Sequence, residues 1–168
     1  IPKGLVGSEM CIRDRFYAGN DEFESIFATG QRFSDRKLKK INDLDLATVI
    51  MKTKKGVQCI ITNSRHCSFG YDQRIELFGS KGMIISDNQR DLETVLYSKN
   101  STDNKTQLKN FFIERYSEAY KIQLDDLVKI CKKNSRPLAN FEDGRKSLIL
   151  AESAKRSLKS KKFEKVIF

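Results

Sequence analysis

Between residues 24 and 98 one pattern recurs: a short β-rich or alternating segment, a turn, and another such segment. The segments are residues 24–33, 44–53, 57–65, 74–78, 83–86 and 93–98. In the first, Ile26 and Ala28 alternate with Phe27 and Thr29; in the last, Val95 and Tyr97 share a face. Parallel neighbours need a crossover of roughly a dozen residues or more. Lys54-Lys55-Gly56 and Gly79-Ser80-Lys81-Gly82 are too short for one. The spacing therefore predicts an antiparallel meander of about six strands. Residues 35–42 read as a basic loop and residues 100–105 as a polar, mobile loop tip.

Two helical patterns follow. Phe112, Tyr116, Ala119, Tyr120, Leu124, Leu127, Val128 and Cys131 recur near a 3.6-residue period, and Asn134-Ser135-Arg136-Pro137 stops the run. Asn140 is placed to cap a second helix, with Asp143 at its third position, where a carboxylate suits the positive helix end. That helix is expected to run to about Leu158 and to bury Leu148, Ala151, Ala154 and Leu158. Residues 163–168 read as a closing strand. The fold class is α+β: an open, mostly antiparallel sheet of about six strands with helices packed on one face. The uncovered apolar face of such a sheet predicts a homo-oligomer.

At 168 residues the chain is long enough for one domain with a core and too short for two ordinary ones. Its net charge is +10, but the lysines are dispersed and do not interleave with aromatics, and no helix-turn-helix, zinc-finger or RNA-recognition pattern occurs. The basic balance is read as solvated surface, not as a nucleic-acid site. No apolar run approaches the ~18 residues of a membrane span. Cys11, Cys59, Cys67 and Cys131 form no C-x-x-C pair, and with His66 as the single histidine no zinc site of ordinary spacing arises. Free thiols of a reducing cytoplasm are the plain reading.

The functional candidates gather in residues 63–82. A polar loop of about ten residues here lies between two strands, longer than the usual 2–6, and a small-ligand contact is sought in such a loop. It carries Arg65, His66, Tyr71, Asp72, Gln73 and Arg74. Asp72, Arg74 and Glu76 suit cross-strand charge pairing better than catalysis, and His66 suits a surface role. Glu114, Arg115 and Tyr116 are placed to fix the start of the long helix.

Asn63-Ser64-Arg65, Gly70-Tyr71-Asp72-Gln73-Arg74-Ile75-Glu76 and Phe78-Gly79-Ser80-Lys81-Gly82 resemble the C-terminal domain of inositol 2-dehydrogenases. These belong to the glucose–fructose oxidoreductase/inositol dehydrogenase/MocA superfamily. Phe111-Phe112-Ile113-Glu114-Arg115-Tyr116 with Ala119-Tyr120, and Asp143-Gly144-Arg145 with residues 150–154, resemble its later blocks. The resemblance covers residues 16–168 and implies a substrate and oligomerisation domain. It also implies NAD-dependent oxidation of a polyol, with myo-inositol going to the 2-keto inosose, in a cytoplasmic homotetramer. Tyr71 matches a tyrosine near the bound polyol, and a phenol can both donate to and accept from a ring of hydroxyls. Phe69 stands where relatives often carry a second tyrosine.

Other parts of the family pattern have no match. The catalytic lysine of a Glu-Lys-Pro motif, the Asp-x-x-x-His pair and the Gly-x-Gly-x-x-Gly phosphate loop are all missing from this sequence. No catalytic, cofactor-binding or metal residue is therefore assigned, and the chain is expected to be inactive by itself. NADP in place of NAD stays open. Residues 1–15 show no period and no cap; they read as a translated adapter, a misjoined frame or a disordered leader, without packing. The competing non-enzymatic reading is a sheet-plus-helix module that binds carbohydrate or a protein partner.

Overall fold

The structure is a computed structural model describing residues 8–19, 21–34, 36–41 and 43–168, with side chains from Arg13 onward except at Arg36 and Ile41. It divides into two compact units: one runs to His66 and resumes over Leu138–Phe168, and the other is Cys67–Pro137. The elements in order are α1 (Ser8–Tyr17), β1 (Phe23–Gln31), β2 (Leu46–Thr53) and β3 (Gln58–Ser64). Next come β4 (Ile75–Gly79), β5 (Gly82–Ser86), β6 (Val95–Ser98) and β7 (Ser101–Lys105). Helices α2 (Phe112–Lys133) and α3 (Phe141–Ser160) and the short strand β8 (Glu164–Lys165) complete the chain. No described helix is long and apolar enough to cross a membrane.

In the first unit the strands pair in the order β3-β2-β1-β8, all antiparallel. Alternation dictates the burial: Ile26 and Ala28 of β1, Val49 and Met51 of β2 and Ile61 of β3 are buried on one face. Leu150 and Ala154 of α3 close over them, with Phe23 and Val166, to complete the core. The α+β class and the antiparallel pairing agree with the sequence expectation. The ladder itself is divided, however: the second unit holds two separate hairpins, β4-β5 and β6-β7.

Helix α3 starts as its sequence predicts. Asn140 accepts from the amides of Glu142 and Asp143, and Asp143 accepts in return from the Asn140 amide. Its buried face differs from expectation. Ala154 is buried and Leu158 packs partly against the core as expected, but Leu148 is 58% exposed, and Ser147, Leu150, Ser153 and Ser157 face inward instead. The serines are tolerable there because each hydroxyl is occupied: Ser147 donates to Asp143 O at 2.9 Å and Ser153 to Ile149 O at 2.8 Å. Small residues then let helix and sheet approach closely.

Three further expectations are corrected. Residues 8–15 do not lack packing: α1 lies along α3, and buried Arg15 reaches Asp143 at 3.1 Å. Residues 1–7 lie outside the described residues. The polar tip at 100–105 is instead strand β7, paired with β6; register is held by backbone bonds although Ser101, Thr102, Asp103 and Asn104 carry no apolar signal. Arg36–Ile41 in the expected basic loop is a 3₁₀ turn. Helix α2 has the predicted apolar stripe, yet it buries no residue within the chain.

Candidate functional site

The loop after β3 is anchored by backbone geometry at Gly70. Its φ of +123° lies where side chains strain, and a Cβ there would sit 2.7 Å from Leu108 Cβ. The next amide, of Tyr71, donates to Lys109 O at 2.8 Å, and the Lys109 amide donates to Gln89 O at 3.1 Å. Arg90 and Leu108 form a further antiparallel bridge. Segments near residues 70, 90 and 108 are thus stitched into one platform.

Side chains lock the loop from the other end. Arg74 grips Asp72 with two bonds of 2.8 and 3.0 Å, and Asn88 Nδ2 donates to Asp72 Oδ1 at 2.7 Å. Asn88 Oδ1 in turn accepts from the Gln73 amide at 2.7 Å. The Arg74 guanidinium, and then the Asn88 amide, hold the Asp72 carboxyl below the usual carboxylate range. Asp72 and Arg74 are therefore a structural pair, as the sequence suggested; Glu76 does not join them.

Tyr71 stands edge-on to Tyr116 of α2, with ring centroids 5.8 Å apart, and Tyr116 stands edge-on to Tyr120 at 6.3 Å. The Tyr116 hydroxyl donates to Gln73 Oε1. The Arg115 guanidinium lies 5.7 Å from the Tyr116 ring centroid. Burial, with the Tyr116 hydroxyl beside it, pushes the Tyr71 phenol up to about 12. A phenol that stays protonated at neutral pH is a hydrogen-bonding group, not a general base. Glu114 does help to fix the start of α2: its carboxylate accepts from the Asn110 amide at 3.3 Å, where the cap residue Phe111 has no capping side chain.

Phe69 is 60% exposed and borders an open cleft of about 490 Å³ with Arg74, Asn88 and Arg90. His66 belongs to the first unit, is exposed, and lines a separate hollow of about 300 Å³ beside Asp45. The Asp45 carboxylate is already filled by the Phe33 and Ser34 amides and the Ser34 hydroxyl. Sequence reasoning found Tyr71, Asp72 and Arg74 and set Tyr116 and Tyr120 on one helical stripe, but missed Asn88 and the Gln73–Tyr116 bond, which no local spacing signals.

Cys59, Cys67 and Cys131 are free thiols. Burial, with Asp14 adding, pushes the Cys59 thiol up to about 12, which makes it inert. No group of three or more potential metal ligands is found among the described residues. The fold also offers no dinucleotide cradle there. Every described strand ladder is antiparallel, so no strand–turn–helix unit with a parallel partner presents a helix end to a pyrophosphate.

The described residues thus form an antiparallel α+β architecture with a braced, tyrosine-bearing loop. Residues 15–85 match the model of the GFO/IDH/MocA C-terminal domain. The chain is 40% identical, over 98% of its length, to myo-inositol 2-dehydrogenase of Thermotoga maritima, and covers 51% of that protein. It is 34% identical over 95% of its length to inositol 2-dehydrogenase of Rhizobium meliloti, covering 49%. The crystal structure of a probable dehydrogenase from Thermotoga maritima superposes with a TM-score of 0.90 at 37% identity, over 95% of this chain and 48% of that one. The fold recurs, at 20% identity and a TM-score of 0.79, in a Lactobacillus casei myo-inositol dehydrogenase crystallised with NAD(H) and myo-inositol; 96% of this chain and 46% of that one are covered. The chain belongs to the GFO/IDH/MocA family, of which it carries the C-terminal domain. It spans about half the length of the curated relatives it matches.

Proposed function

We propose that this chain is the substrate-facing and oligomerisation half of an NAD-dependent polyol dehydrogenase, an inositol 2-dehydrogenase that oxidises myo-inositol to the 2-keto inosose. The observation that carries this reading is the 40% identity to a myo-inositol 2-dehydrogenase along 98% of the chain. Tyr71 contributes a neutral phenol to the polyol wall, on a loop braced at Gly70, Asp72 and Gln73. The nicotinamide accepts hydride when bound; the residues to bind it, and the proton-transfer lysine, aspartate and histidine, have no counterpart in this sequence. The chain by itself is inactive. NAD rather than NADP, a cytoplasmic setting, a role in myo-inositol catabolism and a homotetramer built through the open sheet face belong to the same proposal.

The test uses two proteins. The chain alone, mixed with NAD and myo-inositol, is expected to form no NADH. Residues 16–168 fused behind the N-terminal half of the Thermotoga maritima relative are expected to turn over. A folded fusion that oxidises neither myo-inositol nor its stereoisomers would overturn the proposal; turnover by the chain alone would overturn its inactivity.

A further inference from the structure

Helix α2 turns an apolar stripe to water. Ile113, Tyr120, Leu124, Leu127 and Val128 are each between 45% and 63% exposed, and Cys131 is exposed beside them. At 3.6 residues per turn these positions fall within about a third of the helix circumference. Tyr116, at the edge of the stripe, is taken by the loop through its bond to Gln73. The two flanks of the stripe differ. Glu114, Lys121, Asp125 and Lys132 run along the side next to Val128, in the order negative, positive, negative, positive. The other side holds Phe112, Gln123 and Ile130 and carries no charge. Two copies of α2 laid side by side and parallel would set the charged flank against the neutral one. Reversing one copy sets each flank against itself, read backwards. About a twofold axis near Gln123, Glu114 then meets Lys132 of the second copy and Lys121 meets Asp125. On the same axis Leu124 packs on Leu124, and Tyr120 on Leu127. The match is not accidental to one turn, because Glu114 and Lys132 lie five whole turns apart on one line of the helix. Charges at such a rim set direction more than strength.

We propose that the α2 stripe docks on α2 of a second copy of this chain, antiparallel and centred near Leu124. This deepens the proposed function and rests on the homotetramer and its sheet-face pairing. A self-complementary face closes a pair and stops, so the open sheet face joins two chains, and four chains need a second such face. The helix contact is small: the stripe offers on the order of 500 Å² per copy, short of the roughly 800 Å² per partner of an ordinary stable interface. By itself it does not hold two chains together. It closes when sheet-paired copies present two stripes at once, because the second contact is then made within one assembly at high effective concentration.

The experiment measures mass in solution by light scattering. The full chain is expected to run at four chain masses. Leu124→Lys charges the centre of the helix contact, leaves the sheet face alone, and is expected to run at two, with unchanged circular dichroism. Asp125→Lys sets lysine beside Lys121 of the second copy and is expected to raise the concentration at which four chains part into two by about 10-fold at low salt. Adding Lys121→Glu to Asp125→Lys restores opposite charges and is expected to restore the assembly. Two chain masses for the unchanged chain, or four for Leu124→Lys, overturns the helix contact and spares the sheet face. One chain mass for the unchanged chain overturns the sheet-face pairing as well. An Asp125→Lys defect that Lys121→Glu does not repair overturns the antiparallel register. In the fused enzyme, four chain masses both with and without Leu124→Lys would mean that the N-terminal half covers the stripe, and this too overturns the proposal.

Discussion

Ser157 Oγ accepts the Ala28 amide hydrogen at 2.9 Å and donates its own hydrogen to Lys162 O at 2.6 Å. The bond has a structural reason. Strand β8 pairs with β1 only at Ser25 and Ile26, so by Ala28 the outer edge of β1 has lost its strand partner. Residues 24, 26 and 28 turn their backbone groups to the same edge, where the Val166 amide donates to Glu24 O. A serine from α3 takes over where the short strand stops, and the same hydroxyl ties down the turn after the helix.

Ser157→Ala should therefore cost more than a surface hydroxyl would. It strands a buried amide and a carbonyl in the helix–sheet seam, a penalty of about 1–3 kcal/mol. Urea unfolding is expected to show a lower midpoint with an unchanged slope. Ser157→Thr keeps the hydroxyl and overfills the seam, so it separates loss of the bond from loss of fit. A midpoint unmoved by alanine would mean that water replaces the serine.

Gly70→Ala should loosen the loop that carries Tyr71. The residue needs a left-handed backbone, and an added methyl would collide with Leu108 Cβ at 2.7 Å. Because the amide bond from Tyr71 to Lys109 O depends on that close approach, the loop is expected to lift and the whole chain to lose about 1–3 kcal/mol. Hydrogen exchange at the Tyr71 amide is the direct readout. Exchange as slow as in the wild type would show that the platform yields without breaking.

Asp14 gives the chain a pH dependence of definite sign. Burial outweighs the Arg13 guanidinium beside it, raising the carboxyl from 3.8 to about 6, and its Oδ2 has no hydrogen-bond partner. A folded value above the unfolded one means that the native state holds the extra proton. The stability Asp14 contributes is fully present below about pH 4 and is lost as pH rises through about 6. Asp14→Asn is expected to stabilise the chain at pH 7.5 by on the order of 2 kcal/mol and to have little effect near pH 4. Equal gains at both pH values would place the effect in packing, not charge.

Sequence periodicity reveals what depends on neighbours in sequence. Strands β1 to β3 were legible because Ile26, Val49 and Ile61 alternate with half-exposed partners, and Asn140 with Asp143 announced the start of α3. The inward face of α3 was not legible. A hydrophobicity reading puts Leu148 inside, whereas the serines at 147, 153 and 157 go inside because their hydroxyls find local carbonyls and an amide. Strand β7 has no apolar residue to mark it, and α1 has no period, so neither could be read. In the site, Tyr71 was found through a motif. Its surroundings depend on Asn88 and Tyr116, 15 and 43 positions from the Gln73 groups they bond, and only folding supplies such distances.

The outer face of the first unit's sheet supplies the test of assembly. Register places Phe27, Ile50 and Ile60 side by side across three strands, and the Phe163 ring extends the row at 5.3 Å from Phe27. Ile60 is 67% and Phe163 61% exposed, with Phe27 and Ile50 half-buried between them, an apolar stripe on the sheet. Water penalises such a surface by about 25 cal/mol for each Å² of apolar area, and pairing with a second copy removes the penalty for both. Ile60→Lys would seat an unpaired charge in that contact while leaving Ile61, which faces the core, untouched. Light scattering is expected to give a multiple of 19.4 kDa for the chain and a single-chain mass for Ile60→Lys, with the same far-ultraviolet circular dichroism. If both run at one chain mass, or both stay assembled, this stripe is not where the copies meet.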